Sequence, residues 1–272
     1  MAIPKTIHYC WFGRNPLDEL SLKCIESWKK YCPDYEIVKW TEDNYDVTKN
    51  KYMYDAYINK KWGFVPDYAR LDIIYEHSGI YLDTDVEIIR NFDGLLENTA
   101  FVGFEDEKGV NFGSGFGAEK GLKVIKKIMR EYEKIEFIKQ DGSLNLTPSP
   151  KYQTDYLLKN GLKLDNSYQK IDGITIYPTE YFNPKDWFSG KIIPSNNTYS
   201  IHHFNASWLT TEEHVSYRRQ KFFVNIFGKT AGRKINIFWE FPKIVIKSIK
   251  KNGIMGFCAK VYNRCCNIAK TQ

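Results

Sequence analysis

Two carboxylates stand one residue apart in the run Gly79-Ile-Tyr-Leu-Asp83-Thr-Asp85-Val86. With its apolar flanks, Ile80–Ile89 is expected to be a strand, an element in which acidic residues are scarce. Residues i and i+2 of a strand point to one face, with Cα atoms roughly 6.5–7 Å apart. Like charges held that close repel unless a cation lies between them. A divalent ion with oxygen ligands is the natural partner. Just upstream, Pro66–His77 reads as a helix, with Pro66 at its first position and Gly79 beyond its end. Asp67 and Arg70 lie three apart on it and share a face. The plain reading of these two is an intrahelical ion pair worth about 0.2–0.5 kcal/mol. Their helix feeds directly into the paired carboxylates, which gives them a second reading as charges serving the same site.

The elements that must position these residues follow from hydrophobic patterning. Ile7-His-Tyr-Cys-Trp-Phe12, closed by Gly13, reads as a buried first strand, Leu20–Lys30 as a helix and Tyr35–Trp40 as a second strand. This order predicts an α/β sheet with crossover helices. Further helices are expected over Asn50–Lys61, Leu122–Ile138 and Gln153–Lys159, and strands over Ala100–Phe104, Ile174–Tyr177 and Ser200–Phe204. Tyr217–Asn267 is mostly helical in pattern, with interruptions expected near Gly228–Gly232 and at Pro242. The domain division predicted is 1–216 for the α/β body and 217–272 for a basic helical appendage.

The chain has 272 residues, enough for one substantial core. No run of about 20 apolar residues would cross a membrane, and no secretory leader is visible. The six cysteines, at 10, 24, 32, 258, 265 and 266, form no C-x-x-C pair, which argues against a zinc site and for a reducing cytoplasm. The net charge of +6 is uneven. From Tyr217 onward there are 13 Lys and Arg against one acid, Glu240, whereas the preceding body holds 26 bases and 32 acids. A body of net charge −6 argues against nucleic acid as a partner, and a tail of +12 favours an anionic membrane surface. Its lysines alternate with large apolar residues in Ile235-Asn-Ile-Phe-Trp-Glu-Phe-Pro-Lys-Ile-Val-Ile-Lys, a pattern suited to lying on a bilayer or packing as a helical subdomain.

The longer string Ala69-Arg70-Leu71-Asp72, Tyr75 and Gly79-Ile-Tyr-Leu-Asp83-Thr-Asp85-Val86 resembles the signature of the D-x-D sugar transferases of glycosyltransferase family 32, relatives of the glucosylating domains of large clostridial toxins. Pro4-Lys-Thr-Ile-His8-Tyr-Cys-Trp11-Phe-Gly13 resembles the first strand of that family, and Ile201-His202-His203-Phe204-Asn205-Ala206-Ser207-Trp208 its closing His…Ser-Trp motif. The resemblance implies a GT-A (Rossmann-like) nucleotide-sugar-binding domain. It also implies sugar transfer with retention of configuration and Mn²⁺ as cofactor, with Mg²⁺ the alternative. Carried over by position, Trp11 would stack on the donor base while the backbone of Cys10 and Phe12 reads its edge. Asp67 and Arg70 would bind the donor sugar or phosphates, and Asp83 ribose and sugar; these three are the catalytic set. Asp85 would bind the metal with Asp83 beside it, and Ser207 and Trp208 would hold the diphosphate. Tyr81 shares the strand face of Asp83 and is expected to reach base or ribose.

One of the two histidines would complete the metal ligands. If the segment is extended, His203 and Asn205 share a face that leads towards Ser207, which favours His203, with His202 the alternative. Asn111 and Ser114 would line the donor sugar or acceptor, or else form a polar turn. Thr147-Pro-Ser-Pro150 and the aromatics of Tyr177–Trp187 would shape the acceptor side or fill core.

The function expected is a cytoplasmic glycosyltransferase of the hexosyltransferase class, peripheral on the inner face of the plasma membrane. It would use a nucleotide-sugar donor, UDP-sugar favoured, and a saccharide acceptor, lipid-linked or free, in bacterial capsule or O-antigen synthesis. Two rivals use the same residues: a metal-dependent phosphohydrolase, and a membrane-bound sugar-binding protein with a vestigial site.

Overall fold

A computed structural model describes residues 2–205 and 211–269, so the expectations for Ser207 and Trp208 lie outside the described residues. Contacts divide the chain into two units, 1–186 with 191–208, and 187–190 with 209–272.

The first unit is built on strand β1 (Thr6–Cys10), whose Ile7, His8, Tyr9 and Cys10 are all buried. A strand covered on both faces reads as a continuous apolar run, as in parallel α/β sheets. β1 pairs in parallel with β2 (Glu36–Trp40) on one side and β3 (Gly79–Tyr81) on the other. The crossover to β2 is α1 (Glu19–Tyr31), capped by Asp18, whose side chain accepts from the Ser21 N–H at 2.7 Å. Its Cys24, Ile25 and Trp28 form the buried stripe.

The crossover to β3 passes through α2 (Lys51–Ile58) and α3 (Pro66–His77). Every residue of α3 from Asp67 to Ile74 is buried, so this helix runs inside the unit and carries polar groups there with it. Ser78 (φ 63°) and Gly79 (φ 106°) turn the chain sharply into β3. A Cβ at Gly79 would stand 2.8 Å from the Thr6 carbonyl oxygen and 2.9 Å from the His8 ring, so glycine lets the turn lie flat against β1.

The full sheet has eight strands in the order β2-β1-β3-β7-β5-β9-β8, with β6 on β5; the later strands are β5 (Ala100–Asp106), β6 (Gly109–Asn111), β7 (Phe116–Ala118), β8 (Gln169–Ile171) and β9 (Ile174–Tyr177). β7 runs antiparallel between β3 and β5. One face is covered by α3, α4 (Lys123–Tyr132) and α5 (Ser149–Lys159), through Leu71, Ile74, Ile128 and Leu157; the other holds Trp28, Leu82, Phe92 and Phe101. Leu71 is fully buried, and its truncation to alanine is expected to cost about 2–5 kcal/mol. α4 stops at Tyr132, short of the expected Ile138, because the chain turns to bury Phe137 against Tyr52 and Phe64.

The expected strand Ile80–Ile89 is corrected. β3 ends at Tyr81, and a second strand, β4 (Val86–Ile88), pairs with β10 (Ser200–His202) in a separate two-stranded ribbon. Asp83-Thr-Asp85 forms the turn between the two, closed by a bond from the Val86 N–H to the Asp83 carbonyl at 3.1 Å. The apolar residues on both sides suggested one strand; they belong to two sheets.

The second unit contains α6 (Thr211–Ala269), broken at Gly228 (φ 79°) and Gly253 (φ 69°); Pro242 lies inside a helical stretch rather than at a break. About Gly228 the helix doubles back. A Cβ at Gly232 would stand 2.5 Å from the Val224 backbone, so glycine allows the two arms to touch. Arg219 clamps them, donating to Asn236 at 3.0 Å and pairing with Glu240. Phe188 receives the Arg233 guanidinium over its ring at 4.3 Å. Among the described residues, no helix is long and apolar enough to cross a membrane.

Candidate active site

The parallel triplet β2-β1-β3 is wound outward in both directions from β1, and ligands of open α/β sheets bind beyond the carboxyl ends of strands at such a switch point. Cys10–Phe12 and Leu82–Asp85 leave the sheet there side by side. Asp67, Arg70, Tyr81, Asp83, Asp85 and His202 lie in this region.

Arg70 is the hub. Its Nη2 lies 3.2 Å from Asp67 Oδ1 and 3.2 Å from Asp83 Oδ1. Its Nη1 donates to Ser149 Oγ at 3.3 Å, its Nε to the Pro66 carbonyl at 3.2 Å, and its guanidinium carbon stands 5.3 Å from the centre of the Tyr81 ring. The Tyr52 hydroxyl donates to Asp67 Oδ2 at 3.1 Å and the Tyr81 hydroxyl to Asp83 Oδ1 at 3.2 Å. The side chains of Arg70 and Asp67 are only 4% and 5% exposed, against 26% for Asp83, so Asp83 is the member that faces solvent. Burial pushes the Asp67 carboxyl up to about 6, against the opposing pull of Arg70 and with the charge of Asp83 adding to it. Burial also disfavours the Arg70 cation, but Asp83, Tyr81 and Asp67 outweigh it and hold the guanidinium firmly charged.

Asp85 sits in a different setting. Its Oδ1 is 3.1 Å from His202 Nε2, its Oδ2 accepts from the Asn205 N–H at 2.8 Å, and its carbonyl accepts from the His203 N–H at 2.9 Å. Burial opposes its ionisation, but His202 and the Asn205 N–H prevail and hold the carboxyl down at about 2. Burial likewise opposes a charged His202, and Asp85 reverses the balance and raises its pKa.

The strand alternation that favoured His203 over His202 is not seen, and His202 is the one that faces Asp85. His203 turns to Glu87, 2.7 Å from Oε2, while its carbonyl accepts from Lys185 Nζ at 2.6 Å. The alternation argument needed an extended chain through Asn205; β10 instead ends at His202, and Phe204 has a φ of 53°, so face memory is lost.

Asp83, Asp85 and His202 offer ligand atoms that all lie within 4.8 Å of one another. The set fits a divalent ion. Two carboxylates and an imidazole suit Mn²⁺ or Mg²⁺. Bonds of about 2.1 Å at right angles place adjacent ligand atoms about 3 Å apart, the spacing observed between Asp85 and His202. Among the described residues the buried Nδ1 of His202 has no hydrogen-bond partner.

Other predicted residues are placed as follows. Trp11 follows the end of β1, partly exposed, with its Nε1 donating to the Asn15 carbonyl at 2.6 Å. The Cys10 thiol is buried beside the Tyr81 hydroxyl, and burial pushes it up to about 12. Phe12 packs in the core against Tyr45, and Tyr81 is 1% exposed, with only its hydroxyl directed at Asp83. Asn111 accepts from the Gly113 N–H at 2.7 Å, and the Gly113 carbonyl accepts from the Asp83 N–H at 2.8 Å. A Cβ at Gly113 would fall on Asp83 Oδ2, so this loop can lie over the carboxylate only as glycine. Ser114 is buried and shares its Oγ with Asn183.

Sequence reasoning missed Tyr52 and Glu105. Tyr52 lies in a helix that shows no motif. Glu105 stands in the charged run Glu105-Asp-Glu-Lys108, which reads as an exposed hairpin tip. In the structure Glu105 occupies a β-bulge, where the register with β6 shifts, and accepts from Asn111 Nδ2 at 3.0 Å.

Over 140 residues the chain is 30% identical to inositol phosphoceramide mannosyltransferase 3 of Schizosaccharomyces pombe, a match covering 50% of this chain and 39% of that protein, so the chain spans well under half of that relative. Among solved structures it is similar to PaToxG glycosyltransferase (17% identity, TM-score 0.45, 58% of this chain and 70% of that one). It is also similar to a glycosyltransferase involved in glycosylation of the major capsid of PBCV-1 (12% identity, TM-score 0.45, 77% and 98%). Residues 18–102, which hold Asp67, Arg70, Asp83 and Asp85, match the family model described as the glycosyltransferase sugar-binding region containing the DXD motif.

Proposed function

We propose that the chain is a metal-dependent glycosyltransferase that moves a sugar from a nucleotide-sugar donor to a saccharide acceptor. The observation that carries this reading is the junction of two clusters: Asp83 bonds to Arg70 on one side and stands with Asp85 and His202 on the other. In the transfer, the bond from the anomeric carbon to the diphosphate oxygen breaks as a bond to the acceptor hydroxyl oxygen forms. The nucleoside diphosphate leaves and the hydroxyl gives up its proton. A divalent ion held by Asp83, Asp85 and His202 would neutralise charge on the leaving diphosphate. Asp83, the most exposed of the three, would meet the ribose and sugar; Arg70, itself held by Asp67, fixes its direction and supplies positive charge behind it. Trp11, beyond the end of β1, would stack on the base. Mn²⁺ is favoured over Mg²⁺ because imidazole is the softer ligand. Retention of configuration, a UDP-sugar donor and a role in bacterial surface polysaccharide at the cytoplasmic face complete the reading, on the strength of the sequence resemblance.

The test is incubation with Mn²⁺ and a panel of UDP- and GDP-sugars, following donor binding and slow donor hydrolysis. Metal-dependent binding of one donor is expected. Absence of nucleotide binding, or turnover of simple phosphoesters instead, overturns the proposal.

For the second unit we propose attachment to an anionic bilayer. Phe238, Trp239 and Phe241 are 81%, 59% and 58% exposed in a helix rich in lysine and arginine. Apolar wedges among basic residues suit the headgroup boundary of anionic lipid. Flotation with phosphatidylglycerol vesicles should recover the protein in a salt-sensitive manner, and Phe238→Ser with Trp239→Ser should lower recovery severalfold. Equal recovery on neutral vesicles rules out the charge-based reading.

A further inference from the structure

A cleft of about 320 Å³ lies between the β5–β6 hairpin and the first turns of α5, within the range of small-ligand pockets. Its walls are fixed. Thr154 on α5 accepts from the Val110 N–H at 3.0 Å, and a Cβ at Gly109 would collide with the Thr154 side chain, so glycine is what lets helix and hairpin close together.

Two chains of contacts run from the lining of the cleft to the carboxylate site. On one wall, Pro150 follows Ser149, whose hydroxyl meets Arg70 Nη1 and bonds to Asp67. On the other, Glu105 is held by Asn111, and Asn111 holds the Gly113 loop that lies on Asp83. Bulges re-aim side chains, and the one at Glu105 puts a carboxylate where a regular strand would continue the ladder.

The lining chemistry selects a ligand class. Three acids, Glu105, Asp106 and Asp155, face two lysines, Lys108 and Lys151. Lys151 is already paired with Asp155 at 2.5 Å. The balance of charge is against a phosphate or another anion. Carboxylates beside lysines instead offer acceptors and donors to hydroxyls, while Pro150 and Leu158 supply apolar surface for the C–H face of a ring.

We propose that this cleft is the subsite for a neutral saccharide acceptor, with Glu105 accepting a hydrogen bond from a hydroxyl of that sugar and so directing it toward the donor held at Asp83. The assignment rests on the transferase reading above and adds to it the place and chemistry of the second substrate. Glu105 acts here as a positioning group.

The experiment measures donor hydrolysis and transfer to a panel of uncharged p-nitrophenyl glycosides, on the same samples of full-length protein with Mn²⁺. Glu105→Gln is isosteric. Leu158→Trp fills the cleft from a position 40% exposed, where a larger side chain does not disturb the core. Both variants should lower the ratio of transfer to hydrolysis at least about tenfold, through a raised KM for the glycoside, with the KM for the donor changed about twofold or less. Three results would overturn the inference: a ratio unchanged in both variants, transfer and hydrolysis falling together, or a wild-type protein that hydrolyses donor yet accepts only phosphorylated lipids. A wild-type protein with no donor binding at all would sink the transferase reading itself, a result distinct from these three.

Discussion

The two halves of the site hold the same residue type under opposite conditions. Asp67 and Asp83 share a cation supplied by the protein, Arg70, at 3.2 Å from each. Among the described residues Asp85 has a histidine at 3.1 Å and backbone N–H donors as partners, and no permanent cation. The half with the permanent cation nonetheless contains the carboxyl pushed up to about 6, and the half without it the one held down at about 2. One guanidinium divided between two carboxylates cannot fully offset the loss of solvent at Asp67, the buried one. A carboxylate with a partner of its own can. The Arg70 half is therefore finished within the apoprotein, and the Asp85 half is a ligand set that gains most from an added ion.

The largest test removes one half at a time. Asp85→Ala should reduce transfer by about 10²–10³-fold and abolish the Mn²⁺ dependence of donor binding, with a loss of stability limited to its pair with His202. Arg70→Ala should cost more stability. It leaves the buried Asp67 and its partner Asp83 without a cation, at a cost of about 3–5 kcal/mol, or roughly 10 °C in melting temperature for a unit of this size. Adding Asp67→Asn to Arg70→Ala should recover part of that loss, read as a coupling energy in a double-mutant cycle. Additive effects would mean that the pair is not the unit described.

The second test uses pH, in metal-free protein. For Asp67 the folded pKa of about 6 lies above the ordinary 3.8, so the folded state holds the proton longer than the unfolded chain does. Its contribution to stability is complete below pH 3.8 and is lost as pH rises through 6. Tenfold in proton affinity is worth about 1.36 kcal/mol, so the loss across this window reaches at most about 3 kcal/mol. Asp67→Asn should flatten that decline, so that the variant gains on the wild type between pH 4 and 7 in urea unfolding. Asp85 has the opposite sign: its contribution is present above pH 3.8 and lost as pH falls toward 2. Parallel pH profiles for wild type and Asp67→Asn would erase the contrast between the halves.

How much of this was legible in the sequence depends on whether the signal was local. Pro66 and Gly79 bracket α3 as observed, since helix ends are set by residues within one turn. Asp67, Arg70, Asp83 and Asp85 were found because a short stretch of chain carries all four. The turn at Asp83–Asp85 was misread as strand because Leu82 and Val86 are both buried, in different sheets, and burial alone does not say which. Ser149 was visible only as part of a proline-rich loop; its contact with Arg70 joins residues 79 apart. Glu105 depends on a bulge, a defect of register between two strands that no single-strand pattern encodes.

The finest test separates two adjacent residues. His202 and His203 differ by one step of the chain, yet one faces Asp85 and the other Glu87. The side chain of His203 is 14% exposed, and burial lowers its pKa although Glu87 pulls the other way; Lys185 and Lys23 add positive charge nearby. That is a poor setting for another cation. His202 is the opposite case, buried among Asp85, Asp83 and Glu105. Replacing His202 by alanine should weaken Mn²⁺ binding by about 10–100-fold, comparable to losing a supporting group at a metal centre. His203→Ala should change it by about twofold or less and act instead on the contact with Glu87, with a small loss of stability of about 1 kcal/mol. Isothermal titration of Mn²⁺ into both variants decides it. Equal weakening in both would show that the metal is held by the whole β4–β10 ribbon, and loss on His203→Ala alone would return the ligand to the residue that strand alternation had favoured.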